Sequence, residues 1–163
     1  MADAHLICGS TGAGKTTYAR RLAERTGAVV FTLDDWMAAL FWPDAPQPFT
    51  YDWAHERTER CQSQILTVCG QLLPRGQDVI LDLGFFAQVQ RRNAVEAVQA
   101  HGGVPRLHYL DVPAEERWRR VERRNAERGA TYALDVTRGM FDFCETLFEV
   151  PGPAELQAYP LGD

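Results

Sequence analysis

One stretch near the start of the chain has the residue types and the spacing needed to bind a triphosphate. It reads Gly9-Ser10-Thr11-Gly12-Ala13-Gly14-Lys15-Thr16-Thr17 and contains the pattern G-x-x-x-x-G-K-T between an apolar run and a helical pattern. Glycines allow backbone N–H groups to converge on phosphates, and the following helix adds the positive end of its dipole. Lys15 is the one lysine among 17 basic residues, and its compact ammonium suits the β- and γ-phosphates. We predict that residues 9–17 bind ATP and that Thr16 ligates Mg²⁺.

Carboxylates follow two further apolar runs, and parallel strands would bring them to the same edge of a sheet. Asp82 ends the run that begins at Val79 and is predicted to hold Mg²⁺ directly or through water. Asp34 and Asp35 follow the run 28–33, and one of them is predicted to accept the proton of an attacking hydroxyl. Capping of a turn is the alternative for Asp82, and capping of the next helix is the alternative for the other two.

An arginine-rich segment covers residues 115–129. Its arginines are mixed with glutamates, so ion pairs one helical turn apart, such as Glu116–Arg120, explain much of the pattern. Arg124 and Arg128 stand where the helix must end, and we predict that they close over ATP and neutralise the transferring phosphoryl group. A basic patch for a polynucleotide is a poorer explanation, because the glutamates interrupt it.

The rest of the chain alternates strand patterns with helical patterns, which predicts an α/β fold with a mainly parallel sheet of four or five strands. Apolar runs of strand length lie at 5–8, 28–33, 78–83 and 106–112, with a weaker edge strand near 156–161. Helical patterns lie at 16–26, 53–73, 88–101 and 114–128. We expect an arginine-bearing lid at about 124–134 and an irregular acceptor-side segment at about 36–53.

Aromatic residues are concentrated between Trp36 and Trp53 and again at Phe85 and Phe86. Core packing explains most of them, and the remainder indicates an apolar pocket for a nucleoside, an antibiotic or another ring-bearing alcohol. The four histidines have no spacing typical of metal ligands or catalytic groups, and they are predicted to be structural.

The composition predicts one globular domain over residues 1–163. Hydrophobic residues make up 45% and charged residues 24%, which are ordinary values that exclude a wholly disordered chain. A net charge of −5 disfavours bulk binding to nucleic acid. The sequence has no apolar run of membrane-spanning length, no signal pattern and no C-x-x-C pair among its four cysteines. We therefore expect a cytoplasmic protein with reduced thiols.

The ordered motifs resemble those of the P-loop kinases related to polynucleotide 5′-hydroxyl kinase, zeta toxin and chloramphenicol phosphotransferase, small AAA-type ATP-binding proteins. The likeness covers roughly residues 4–148, and its motifs are G-S-T-G-A-G-K-T, Asp34-Asp35, Arg91-Arg92, Asp111-Val112-Pro113, Arg124-Asn125-x-x-Arg128-Gly129 and Asp135-Val136-x-Arg138-x-Met140-Phe141. The resemblance implies a three-layer α/β/α P-loop kinase fold. It also implies roles for single residues: Lys15 in catalysis, Asp34 as general base, Arg128 as lid arginine, Thr16 as Mg²⁺ ligand, and Asp35 and Arg91 at the substrate.

One departure from the group bears on the acceptor. Met37 stands where polynucleotide kinases of this group have an arginine that assists the base and the substrate phosphate. The expected activity is therefore transfer of the γ-phosphate of Mg-ATP to a hydroxyl of a small molecule such as a nucleoside, sugar or antibiotic. The alternatives are a polynucleotide 5′-hydroxyl kinase-like enzyme and a nucleotide-binding ATPase without a phosphoacceptor.

Overall fold

Four parallel strands form the sheet that carries the predicted motifs. The computed structural model describes residues 1–130, 132 and 134–161. The strands are β1 (Asp3–Cys8), β2 (Val29–Thr32), β3 (Val79–Asp82) and β4 (Val104–Tyr109). Their order is β2-β3-β1-β4, and each neighbouring pair is parallel. Thr32 lies opposite Asp82 in the register, so the carboxyl ends of β2 and β3 meet at one edge of the sheet, as the sequence predicted.

Helices cover both faces of this sheet. They are α1 (Lys15–Thr26), α2 (Leu33–Leu40), α3 (Tyr51–Leu72), α4 (Gln88–Ala100), α5 (Ala114–Glu127), α6 (Arg138–Leu147) and α7 (Pro153–Ala158). Successive strand residues point to opposite faces. Ile7 accordingly packs in the cluster that contains Leu22 of α1, whereas Leu6 packs in the larger cluster that contains Ile65 of α3. The three-layer α/β/α P-loop kinase fold is confirmed.

The predicted fifth strand near 156–161 is wrong, because the chain forms α7 there instead. Proline at the first position of this helix has the backbone angle that a helical first turn needs. Glu155 in the first turn pairs with the buried Arg91, with a distance of 2.6 Å between Oε1 and Nε. Beyond the helix, the carbonyl of Tyr159 accepts a hydrogen bond of 3.0 Å from the backbone N–H of Leu107. The residue that follows α7 therefore pairs with the outer edge of β4.

The irregular acceptor-side segment is shorter than the predicted 36–53. Residues up to 40 belong to α2, because Leu33 and Met37 bury the same helical face. A short 3₁₀ helix covers Trp42–Asp44, and α3 begins at Tyr51 after its cap, Thr50. The rings of Trp42, Phe49 and Trp53 pack on one another, with centroids 5.2 to 6.3 Å apart. Most aromatic residues of this region thus stabilise the fold.

The thiols are free, as expected. Cys8, Cys61 and Cys69 are buried, and Cys144 is half-buried. Burial raises the pKa of Cys8 to about 11 and that of Cys69 to about 12, so neither forms the reactive thiolate at neutral pH. In the described part of the chain, none of the helices has the length and apolar character needed to cross a membrane.

A buried chain of polar side chains fixes α1 against the sheet. His5 Nδ1 lies 2.9 Å from His108 Nε2, and the hydroxyl of Tyr18 lies 2.8 Å from His108 Nδ1. Burial, together with repulsion from His5 and Arg25, lowers the pKa of His108 to about 4. The burial of His5 and His108 in this chain of polar side chains agrees with the structural role predicted for them.

Acidification is expected to destabilise the fold through His108. The unfolded chain takes up the proton near the ordinary pKa of about 6.5, whereas the folded chain resists it down to about pH 4. The stability is therefore complete above pH 6.5 and falls as the pH drops toward 4, by about 2 kcal/mol at pH 5. Urea unfolding of the wild type and of His108→Gln between pH 7 and 5 measures this effect. The variant should lose less stability over this interval, and parallel curves would contradict the assignment.

Candidate active site

The loop between β1 and α1 has the shape that its glycines predict. Gly12 and Gly14 adopt φ angles of +81° and +89°, and Gly14 is the residue before the first turn of α1. A Cβ atom at Gly12 would lie 2.5 Å from the carbonyl oxygen of Arg117, so this position requires glycine. Lys15 Nζ donates hydrogen bonds to the carbonyls of Gly9 at 2.8 Å and Ser10 at 3.3 Å. The ammonium group is thereby held across the loop.

This loop opens into a cleft of ≈ 1420 Å³. Of the predicted ATP-binding residues, Thr11 to Thr17 all line the cleft. Ser10 lies behind it, where its buried hydroxyl donates to the carboxylate of Glu145. Gly9 also supports the loop, since a Cβ atom there would lie 3.1 Å from the carbonyl of Leu110. Ligand pockets usually measure about 300–1000 Å³, so this cleft has room for a nucleotide and a second ligand.

The predicted Mg²⁺ ligands lie side by side. The hydroxyl of Thr16 donates a 2.7 Å hydrogen bond to Oδ2 of Asp82, which is only 5% exposed. Burial raises the pKa of the Asp82 carboxyl, and the charges of Asp34 and Asp35 raise it further, whereas Lys15 lowers it. A hydroxyl and a carboxylate oxygen at the edge of a phosphate-binding loop suit Mg²⁺, which takes its other ligands from water and phosphates. The residues present therefore fit the ion.

The two neighbouring aspartates differ in where they lie. Both occupy the first turn of α2, and both are near enough to Asp82 to raise its pKa. Both side chains are exposed, but Asp34 lines the cleft, whereas Asp35 lies outside the lining. The structure thus distinguishes two carboxylates that the sequence left equivalent.

Helix α5 lies beside the phosphate-binding loop and turns three arginines into the cleft. Arg120 Nη1 donates a 3.3 Å hydrogen bond to the carbonyl of Ala13, and its guanidinium also pairs with Glu116, as predicted. Arg123 and Arg124 line the same wall. Nε of Arg124 is buried and has no hydrogen-bond partner among the described residues. This face of α5 therefore brings positive charge to the place where a triphosphate would lie.

Arg128, the predicted lid arginine, lies elsewhere. It ends α5 with a left-handed backbone (φ +46°), and its side chain is 62% exposed. Its Nη2 donates a 3.0 Å hydrogen bond to Oδ2 of Asp135, and the residue lies outside the cleft lining. Residues 131 and 133 of the predicted lid lie outside the described residues. The lid role of Arg128 stays a prediction.

Arg91 does not have the position that a substrate contact requires. It is 1% exposed and lies outside the cleft lining. Its guanidinium forms a bidentate pair with Glu155 at 2.6 and 3.1 Å and donates a 3.1 Å bond to the carbonyl of Phe85. Phe85 has a φ of +43°, so Arg91 stabilises a strained turn after β3. Its contacts are structural because all three of its nitrogens donate to protein atoms.

Sequence reasoning missed several residues that shape the site. Arg117 pairs with Glu145 of α6 through two 2.7 Å bonds and donates to the carbonyl of Thr11 at 3.2 Å, so it supports the loop from behind. Nothing in the local pattern links Glu145 to a loop more than 130 residues earlier. A second group consists of side chains of α3 that line the cleft: His55, Thr58, Glu59 and Gln62. Their spacing on one helical face was a usable signal, and His55, which was predicted to be structural, is one of the lining residues.

A comparison with protein families agrees with this geometry. The model of the AAA domain matches residues 5–149, which include the loop, both carboxylate sites and the arginines of α5. The chain belongs to this family. No curated protein sequence is significantly similar to it.

Solved structures show the same fold at low sequence identity. A sugar kinase from Janibacter sp. HTCC2649 has a TM-score of 0.66 and 18% identity, covering 95% of this chain and 82% of that chain. Kti12 from Chaetomium thermophilum, solved in complex with ADP-AlF3, has a TM-score of 0.67 and 16% identity, covering 93% and 82%. The Pnkp1/Rnl/Hen1 RNA repair complex has a TM-score of 0.67 and 21% identity, covering 90% of this chain but 44% of that chain. This member of the AAA domain family therefore has the fold of small P-loop kinases.

Proposed function

We propose that the protein is an ATP-dependent phosphotransferase that moves the γ-phosphoryl group of Mg-ATP to a hydroxyl of a small molecule. One observation carries this proposal: the phosphate-binding loop, the Thr16–Asp82 pair and the carboxylate of Asp34 line a single cleft with room for two ligands. A carboxylate beside the phosphate site can accept the proton of an attacking hydroxyl. The sugar kinase and the ADP-AlF3 complex among the structural relatives support the same proposal.

In this proposal the loop binds and orients the triphosphate. Backbone N–H groups of residues 11–17 and the ammonium of Lys15 hold the β- and γ-phosphates. Thr16 and Asp82 would hold Mg²⁺, which when bound screens the phosphate charge and fixes the phosphate geometry. Arg120 and Arg124 of α5 add positive charge beside the loop. This charge offsets the negative charge that accumulates on the phosphoryl oxygens during transfer.

Transfer then needs a proton acceptor at the attacking hydroxyl. Asp34 accepts that proton as the acceptor oxygen bonds to the γ-phosphorus. The bond between the γ-phosphorus and the oxygen that bridges to the β-phosphorus breaks, and ADP leaves with that electron pair. The products are ADP and the phosphorylated alcohol, with the proton on Asp34 until water takes it. Positioning and charge neutralisation supply the catalysis.

The test is transfer from labelled ATP. The purified protein with Mg²⁺ and γ-labelled ATP is offered nucleosides, sugars, aminoglycosides, phenicols and short 5′-hydroxyl oligonucleotides. We expect ADP release to rise with an acceptor and the label to appear in an ester of that acceptor. A rate of ADP release that no compound changes would support the nucleotide-binding ATPase instead, and label on the oligonucleotide would support the polynucleotide kinase.

Removing the guanidinium of Arg124 should slow transfer more than it weakens nucleotide binding. Arg124 lines the cleft, and its buried Nε has no hydrogen-bond partner among the described residues, so Arg124→Ala is expected to lower kcat by roughly 10²-fold. Arg119→Ala is the matched control, because Arg119 lies on the same helix with its side chain 76% exposed. Steady-state kinetics and ATP titration separate the two effects. Equal kcat values for both variants would rule out a catalytic role for Arg124.

A further inference from the structure

The charges that line the cleft are distributed unevenly. Lys15 and Arg21 of α1, and Arg120, Arg123 and Arg124 of α5, supply the lysines and arginines in the lining. All five belong to the two helices that flank the phosphate-binding loop. The part of the lining that comes from α3, the first turn of α4 and α6 is named here the acceptor wall. Among the described residues, which include every lysine and arginine of the chain, none of these cations lines the acceptor wall.

The acceptor wall belongs to the same reaction centre as Asp34. Helix α3 packs on α2, which carries Asp34. Gln62 of α3 donates a 2.8 Å hydrogen bond to the carbonyl of Leu83, the residue that follows Asp82. A molecule that presents a hydroxyl to Asp34 must therefore contact α3, and the charge of this wall bears directly on which molecules fit.

Two basic side chains close to the acceptor wall have carboxylate partners within the protein. His55 Nε2 lies 3.5 Å from Oε1 of Glu59, one helical turn away. Arg91 is buried against Glu155 and turned away from the cleft. Neither group is available to an anionic part of a substrate.

The N-terminus of α4 is also occupied. Its free N–H groups would otherwise form an anion site on the acceptor wall. The backbone N–H of Ala87 donates to Oε1 of Gln90 at 3.0 Å, and that of Gln88 donates to Oε2 of Glu149 at 2.6 Å. A protein carboxylate therefore already holds the place that a substrate carboxylate or phosphate would take.

We infer that the acceptor is a neutral or amine-bearing alcohol, and that alcohols carrying a carboxylate, phosphate or sulfate group are rejected. This inference rests on the proposed phosphotransfer. An anionic group on the acceptor wall would lie near Asp34 and Glu59, with no lysine or arginine in the described lining of that wall, whereas an ammonium group would be attracted by these carboxylates. The hydroxyls find hydrogen-bond partners in Thr58, Gln62 and Gln90, which line the same wall.

The first test compares acceptors that lack the same hydroxyl and differ in charge. Matched sets are offered with labelled ATP: glucuronamide and glucuronate, 2-deoxyglucose and glucosamine, and a 5′-O-methylnucleoside and the 5′-monophosphate of the same nucleoside. In any set that is used and contains an anionic member, we expect kcat/KM for the anionic member to be at least about tenfold below that of the neutral member. Transfer that is fastest to an anionic member would overturn the inference while leaving the proposed phosphotransfer intact. Absence of transfer to every member, with ATP bound, would overturn both.

The second test reverses the charge of the wall. Glu59→Lys should raise kcat/KM for the anionic member relative to the neutral one by about tenfold, and lower it for the amine. Glu59 is 64% exposed, so the variant should fold, which circular dichroism checks. Glu96→Lys is the control, with the same change at an exposed residue of α4 outside the cleft lining. An unchanged charge preference in Glu59→Lys, or the same shift in both variants, would contradict the assignment of this wall.

Discussion

Lys15→Ala is expected to lower kcat/KM for phosphoryl transfer by about 10³-fold or more. The ammonium spans the loop between the carbonyls of Gly9 and Ser10, at the place where the β- and γ-phosphates would lie. Its removal takes the central positive charge from a site that also holds the buried carboxylate of Asp82. Isothermal titration with ATP and steady-state kinetics of transfer measure the loss in binding and in rate.

Lys15→Arg is the informative companion of this variant. It keeps the charge but replaces a compact ammonium with a wide planar fork. We expect it to be impaired by more than about tenfold, because the loop turns tightly at Gly12 and Gly14 and leaves space for a point charge. Full activity of Lys15→Arg would mean that charge alone matters here. Full activity of Lys15→Ala would remove the phosphate site from the proposal.

Asp34→Asn should leave ATP binding nearly unchanged and lower kcat by about 10²- to 10⁴-fold. The amide keeps the size of the carboxylate but cannot accept the hydroxyl proton. Asp34 lines the cleft beside Asp82, so its charge acts on the acceptor more than on the nucleotide base or ribose.

The matched control is the adjacent residue. Asp35→Asn makes the same change in the same helical turn, but Asp35 lies outside the cleft lining. It should keep most of the activity. If Asp35→Asn is inactive and Asp34→Asn is active, the proton acceptor is Asp35 and the acceptor must enter from the other side of α2. If both are active, no carboxylate of this turn serves as base.

The sequence predicted the site best where the functional residues are neighbours in the chain or follow neighbouring strands. The loop at residues 9–14 leads directly into α1, which begins at Lys15, so its fold depends on neighbours in the chain. Asp82 ends β3 and Asp34 lies just beyond β2, in the first turn of α2, and the parallel sheet brings these two strand ends together. Thr16 and Asp82 could thus be assigned to one site although 66 residues separate them.

The same reasoning was incomplete for Arg91 and Arg120, because long arginine side chains can reach several partners. The pattern around Arg91 does not reveal that Glu155, 64 residues later, takes its guanidinium and buries it. Likewise, Arg120 has a good local partner in Glu116, yet its other nitrogen reaches the loop carbonyl of Ala13. The role of an arginine depends on which carboxylates and carbonyls the fold brings to it.

The amino-acid order by itself therefore determined the three-layer fold, the phosphate-binding loop and the carboxylates beside it, because these follow from local backbone geometry and from strand alternation. The tertiary structure alone decided which of Asp34 and Asp35 faces the cleft, which arginines reach it, and that the acceptor wall carries no lysine or arginine among the described residues. Those properties arise where α3, α4 and α6 converge on one cleft. Electrostatic pairing acts through space, and separation along the chain does not predict it.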